Sequence, residues 1–128
     1  MPPELARLLP ELEGALFAFV FGSFGSERFG PESDLDLAVR FPGPLSFDDR
    51  LDLATRLSGV ARRTVDLVDL ASADPIIAMQ VLRTGRPILV RDRLAFETFR
   101  MTTPSRYFDW KITRRPVEEA LFREAASR

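Results

Sequence analysis

A glycine–serine pair, an Asp-x-Asp eleven residues further on and a third aspartate downstream equip this chain for phosphate chemistry: Gly22-Ser23, Asp34-Leu35-Asp36 and Asp66. Gly22-Ser23 ends an apolar run over residues 15–21. Glycine lets the backbone approach a ligand closely. Serine offers a hydroxyl and can cap a following helix. Free N–H groups at such a strand-to-helix turn favour an anion. Asp34 and Asp36 alternate with Leu35, Leu37 and Val39, so on a strand both carboxylates share one face. Like charges beside a core are costly unless neutralised, and hard divalent cations, which prefer oxygen ligands and substrate phosphates, are the usual remedy. Asp66 lies in a second strand-like run, residues 64–70. Paired beside residues 34–39, that run would complete a three-carboxylate cluster able to hold two metal ions about 3.5–4 Å apart, as in-line phosphoryl transfer requires.

The elements that must position these groups follow from periodicity and punctuation. Leu5, Leu8, Leu9 and Leu12 stand at helical spacing, predicting a helix over residues 3–14. Strands are expected at about 16–21, 34–41, 64–70 and 87–90, with a short helix after Ser23 and a loop at Pro31-Glu32-Ser33. Ser46 caps a helix over 47–58, whose first turn carries Asp48 and Asp49. Ser72 or Asp74 starts the next, with Pro75 in its first turn and Gly85 at its end. A helical segment beginning at 94–99 is expected to break at Pro104, and Pro116 to open a last short helix over 117–126. Strands alternating with helices give one α/β domain over residues 1–128. It has a mixed sheet of four to five strands, a core at about 15–92 and a helical extension at about 93–128.

Composition narrows the chemistry. Histidine and cysteine are both absent, which removes Ser-His-Asp catalysis, thiol chemistry, disulfides and the usual zinc sites. A metal must then be held by oxygen, favouring Mg2+ or Mn2+. The net charge of −1 supplies no basic field for nucleic acid. No apolar run approaches the roughly eighteen residues of a membrane span, and the start lacks a basic leader, so the chain reads as cytoplasmic.

The same residues admit rival readings. An isolated Asp-x-Asp is as readily a solvated pair beside Arg28, Arg40 or Arg63. The spacing from Gly22-Ser23 and the later Asp66 carry the sharper reading. Gly25 and Gly30 have Walker A spacing, but Pro31 and Glu32 replace the required Lys and Ser/Thr. Ala38 and Val39 defeat an EF-hand opening at Asp34. Asp69 competes with Asp66, but residues three apart point to opposite faces of a strand. Asp69 is expected to face solvent or cap the next turn. Tyr107, Phe108 and Trp110 form an aromatic cluster that reads either as packing of a terminal helix on the sheet or as a partner surface.

Taken together, Gly22-Ser23, a short helix, Asp34-x-Asp36 and Asp66 resemble the DNA polymerase β-type nucleotidyltransferase superfamily. The short chain is similar to its minimal branch, the MNT proteins, which include antitoxins that accompany HEPN-domain toxins. The resemblance covers residues 15–92. It departs where many minimal members read Gly-Ser-x-Ala-Arg-Gly: here Gly25, Ser26 and Glu27 stand instead, with Arg28 and Gly30 beyond. It implies AMP transfer from ATP to a hydroxyl, with Asp34, Asp36 and Asp66 as catalytic residues and ligands of two Mg2+ ions, and family position favours Asp66 over Asp69. Gly22, Ser23, Ser33 and Arg28 would lie on the nucleotide. It also implies a HEPN-type partner carrying the acceptor, a tyrosine, within a homo- or hetero-oligomer. A non-catalytic antitoxin that occludes its partner and an aminoglycoside-type transferase are the alternatives.

Overall fold

The apolar run becomes a central strand because each of its side chains finds a core. In the structure, a computed structural model describing residues 1–24 and 29–126 (without the side chains of 114–119, 122 and 126), β1 (Phe17–Phe21) is buried at all five positions. Ala18 and Val20 enter one apolar layer, while Phe17, Phe19 and Phe21 enter another. β2 (Leu35–Arg40), β3 (Val65–Asp69) and β4 (Arg86–Val90) complete a sheet of order β3-β2-β1-β4. β1 pairs antiparallel with β2 and β4, and β2 pairs parallel with β3. That parallel step needs a crossover, which α2 (Phe47–Ala61) supplies.

Helices cover both faces. On one side α1 (Pro3–Ala6), a 3-10 turn (Leu9–Leu12) and α2 bring Leu5, Leu8, Leu12, Leu53 and Leu57 onto Val20, Leu35, Leu37, Val39, Val65 and Leu67. On the other, α3 (Pro75–Thr84) and α4 (Arg93–Ala126) bring Val81 and Phe96 onto the β1 phenylalanines, Ala38 and Leu70. Phe96 packs at ring distances of 5.7 Å from both Phe17 and Phe19. The caps are those the sequence names: Ser46 Oγ accepts the Asp49 N–H at 3.1 Å, and of the two candidates for α3 it is Asp74 that accepts the Ile77 N–H, at 2.9 Å. α2 ends at Arg62 in the left-handed region, φ 56°. Gly85 closes α3 without positive φ; a Cβ there would meet the Val81 carbonyl oxygen at 2.3 Å.

Three expectations change. The first helix is not continuous over 3–14: it splits into α1 and the 3-10 turn, because Pro10 has no N–H to carry the α-helical ladder forward. α2 runs on to Ala61, three residues beyond the expected end. The last helix does not break. α4 passes through Pro104 and Pro116 to Ala126, its first turns fixed by Phe96 and the buried Thr103. Among the described contacts nothing explains its continuation past Pro116. The aromatic cluster lies on α4 beside α3 rather than on the sheet. The Arg83 guanidinium stands 5.4 Å over the Tyr107 ring, Tyr107 stacks on Trp110 at 6.4 Å, and Phe108 is exposed. Among the described residues no helix is long and apolar enough to cross a membrane.

Candidate active site

Strand pairing gathers the carboxylates at one end of the sheet. Asp34 immediately precedes β2, Asp36 is its second residue, and the parallel register sets Asp36 directly opposite Asp66 on β3. Alternation puts Leu35, Leu37, Val65 and Leu67 into the α2-side core, which turns Asp36 and Asp66 to the other face. Asp34 and Asp66 are exposed and Asp36 is half-buried. Burial first, then the Asp66 and Asp34 carboxylates, hold the Asp36 pKa above the ordinary aspartate value. The site therefore carries more negative charge than its surroundings stabilise.

Gly22 meets this cluster from β1. The antiparallel register pairs Phe21 with Asp36, so the next residue lies against the Asp36 side chain. Gly22 has φ +75°, and a Cβ there would come within 2.2 Å of Asp36 Oδ2. Only glycine suits both conditions. Its N–H points to Thr84 Oγ1 at 3.4 Å, while that hydroxyl donates to the Gln80 carbonyl at 2.8 Å. The C-terminal end of α3 thus backs the turn, a contact that no local pattern in the sequence announces. Ser23 follows in the same turn. Gly25, Ser26, Glu27 and Arg28, and with them the expected short helix and the phosphate contact of Arg28, lie outside the described residues.

Ser33 sits in the turn that delivers Asp34. Its Oγ accepts the Gly30 N–H at 2.9 Å. Arg63 holds this turn from behind, donating to the carbonyls of Gly30 and Ser33, both at 2.9 Å, pairing with Glu4 at 2.7 Å and lying 4.5 Å over the Phe29 ring. Arg63 is therefore a brace of the acidic loop and not the surface partner of Asp34 or Asp36 weighed above. Arg40 donates to the Phe41 carbonyl, at the other end of β2.

Asp69 does not face solvent. It is 4 % exposed, and its carboxylate accepts the Leu45 N–H at 2.8 Å, the Ala71 N–H at 3.0 Å and the Ser72 hydroxyl at 3.3 Å. It caps the turn after β3 and also ties down the approach to α2. Its side chain lies on the opposite face from Asp66, as three-residue spacing requires.

Among the described residues no three acidic side chains are gathered closely enough to hold a metal ion as they stand. The donor set nevertheless fits a hard divalent cation. It is all oxygen, its central member Asp36 is disfavoured as an anion by burial and then by its like-charged neighbours, and the flanking Asp34 and Asp66 are exposed and so able to turn inward.

The chain is similar to known proteins in sequence and in fold. A family model described as Polymerase beta, Nucleotidyltransferase matches residues 4–94. The protein adenylyltransferase MntA of Shewanella oneidensis is 32% identical over 80 residues, 62% of this chain and 55% of that protein. This chain thus aligns with about half the length of that curated relative. A crystal structure of a toxin–antitoxin with AMP-PNP superposes with TM-score 0.80 at 27% identity, covering 93% of this chain and 96% of the other. The complex of a tri-AMPylated Shewanella oneidensis HEPN toxin with its MNT antitoxin gives TM-score 0.76 at 26% identity, over 93% of each chain.

Proposed function

This chain belongs to the polymerase β nucleotidyltransferase family, and from that premise we propose that it transfers AMP from ATP to a tyrosine hydroxyl of a HEPN-type toxin, acting as the antitoxin. The observation that carries the reading is the register placing Asp36 opposite Asp66 while Gly22 accommodates the Asp36 carboxylate. The similarity to complexes of a HEPN toxin with an MNT antitoxin supports the choice of partner, and the AMP-PNP complex supports a nucleoside triphosphate.

Asp34, Asp36 and Asp66 would hold Mg2+, with Mn2+ an acceptable substitute by donor type. When bound, such ions neutralise charge developing on the phosphates and lower the pKa of a coordinated hydroxyl. The Gly22–Ser23 turn would take the β- and γ-phosphates through N–H and hydroxyl contacts, with Ser33 and Arg28 as further candidates for contact with the nucleotide. Asp66, exposed on β3, would orient the attacking hydroxyl and receive its proton. The acceptor oxygen bonds to the α-phosphorus as the bond from that phosphorus to the bridging oxygen breaks, and pyrophosphate leaves with the electron pair. The chain's contribution is positioning and a prearranged electrostatic field.

The test uses a purified HEPN-domain toxin, labelled ATP and Mg2+, with mass spectrometry of the acceptor. One or more AMP units should appear and vanish with Asp34→Asn. If the partner is silenced equally by Asp34→Asn and gains no mass, the protein acts by occlusion and the enzyme reading is wrong.

A further inference from the structure

Resting on the proposed reading, we infer that the acceptor is a polypeptide seated across the open edge of β3, and that Phe47 and Leu51 of α2 select it. The direction follows from strand order. The turn that would hold the leaving pyrophosphate ends β1, the shared carboxylate is on β2, and Asp66 is on β3, the sheet's outer strand among those described. In-line displacement requires the nucleophile to arrive opposite the leaving group, so it must come from the β3 side. On that side lies a groove of about 350 Å3 between the first turns of α2 and residues 65–67 of β3. Its Val65 and Leu67 side chains face α2 while the Asp66 carboxylate lies on the sheet's other face, so a polypeptide that fills the groove reaches the carboxylates by crossing the β3 edge.

The groove's chemistry states what enters it. Phe47 and Leu51, one helical turn apart, are 79% and 56% exposed, whereas the core face of the same helix is met by Leu53 and Leu57. With Ala54, Val65 and Leu67 they make a wall whose charged side chain is that of Arg50, with Asp66 at the strand edge beyond it. A polyol such as an aminoglycoside would lose water from hydroxyls that this wall cannot bond. Apolar side chains next to the reacting residue of a protein lose nothing there, and the Arg50 cation suits an acidic neighbour on that protein.

The experiment compares the intact protein with Phe47→Ser/Leu51→Ser, both positions being exposed, and with Leu94→Ser as a control on the first turn of α4. Steady-state transfer of labelled AMP to a purified HEPN-domain toxin gives KM for acceptor and for ATP. Direct affinity for that protein is read in an Asp34→Asn background, where no transfer intervenes. The double variant should raise the acceptor KM and weaken direct affinity by about tenfold or more, as removal of two interface anchors does. The KM for ATP should move far less, and Leu94→Ser should behave as the intact protein. An acceptor KM and affinity unchanged in the double variant overturn the groove while leaving the transferase reading intact. Transfer to kanamycin as efficient as to protein overturns the polypeptide class. Absence of transfer by the unaltered protein overturns the parent reading and this inference together.

Discussion

Gly22→Ala probes the closest packing in the site. Two costs can be worked from the geometry. At φ +75° a Cβ-bearing residue loses roughly 1–2 kcal/mol. The Cβ position 2.2 Å from Asp36 Oδ2 forces that side chain out of its rotamer, at roughly 0.5–1.5 kcal/mol. Alanine's smaller unfolded-state entropy returns about 0.4–1 kcal/mol. The net expectation is a loss of about 0.5–3 kcal/mol, seen as a fall of roughly 1 M in the urea midpoint for a chain of this size. The clash share disappears if Asp36 is first shortened. In an Asp36→Ala background Gly22→Ala should therefore cost about 1 kcal/mol less than in the intact protein, a coupling read by a double-mutant cycle. AMP transfer should fall by about 100-fold or more in the single variant, because the displaced carboxylate no longer holds its position. An equal cost in both backgrounds would show that the Asp36 contact is not what requires glycine. A cost below about 0.5 kcal/mol would refute the strain argument as well.

Further outcomes follow from the same contacts. Because the folded-state pKa of Asp36 is raised, the native chain binds more protons than the unfolded one between the ordinary aspartate value and the raised one, so stability falls as pH rises through that window. Asp36→Asn should accordingly raise the melting temperature of the nucleotide-free protein near neutral pH, an advantage that shrinks on acidification, and melting curves at several pH values check it. Added Mg2+ should stabilise the intact protein more than the variant. Asp66→Asn should leave the urea midpoint nearly unchanged, as exposed substitutions do, yet abolish transfer. Asp69→Ala should cost at least about 2 kcal/mol through its orphaned N–H donors. A severe loss of transfer with full stability in the Asp69 variant would reverse the two roles.

Much of the fold, and the placing of the acidic residues within it, is legible in the sequence, and the reasons are local. The alternation of Asp34 and Asp36 with Leu35 and Leu37 fixes which face is acidic, because one face of β2 has to be buried. Ser46 and Asp74 announce their helices through side-chain caps that depend on the next three residues alone. What could not be read depends on distant partners. Arg63 reaches Gly30 and Ser33 across some thirty positions, and Asp69 is buried because Leu45, far back in the chain, donates to it. The prolines mislead in both directions. Pro10 breaks a helix that the leucine spacing favours, while Pro104 fails to break one that Phe96 and Thr103 hold from the core. A proline's local cost of about 3 kcal/mol decides the outcome where little else is at stake and yields where aromatic packing exceeds it.

The Asp69 carboxylate has a consequence for how an acceptor would be met. It grips the backbone at Leu45, two residues before Phe47, from the same strand that carries Asp66 three residues earlier. The start of α2 and the strand beneath it are thereby one mechanical piece. A visitor arriving at that edge finds the wall and the acidic strand already in register, and loses little conformational entropy in bringing them together. A residue with no part in the chemistry would in this way govern the rate at which encounters become productive.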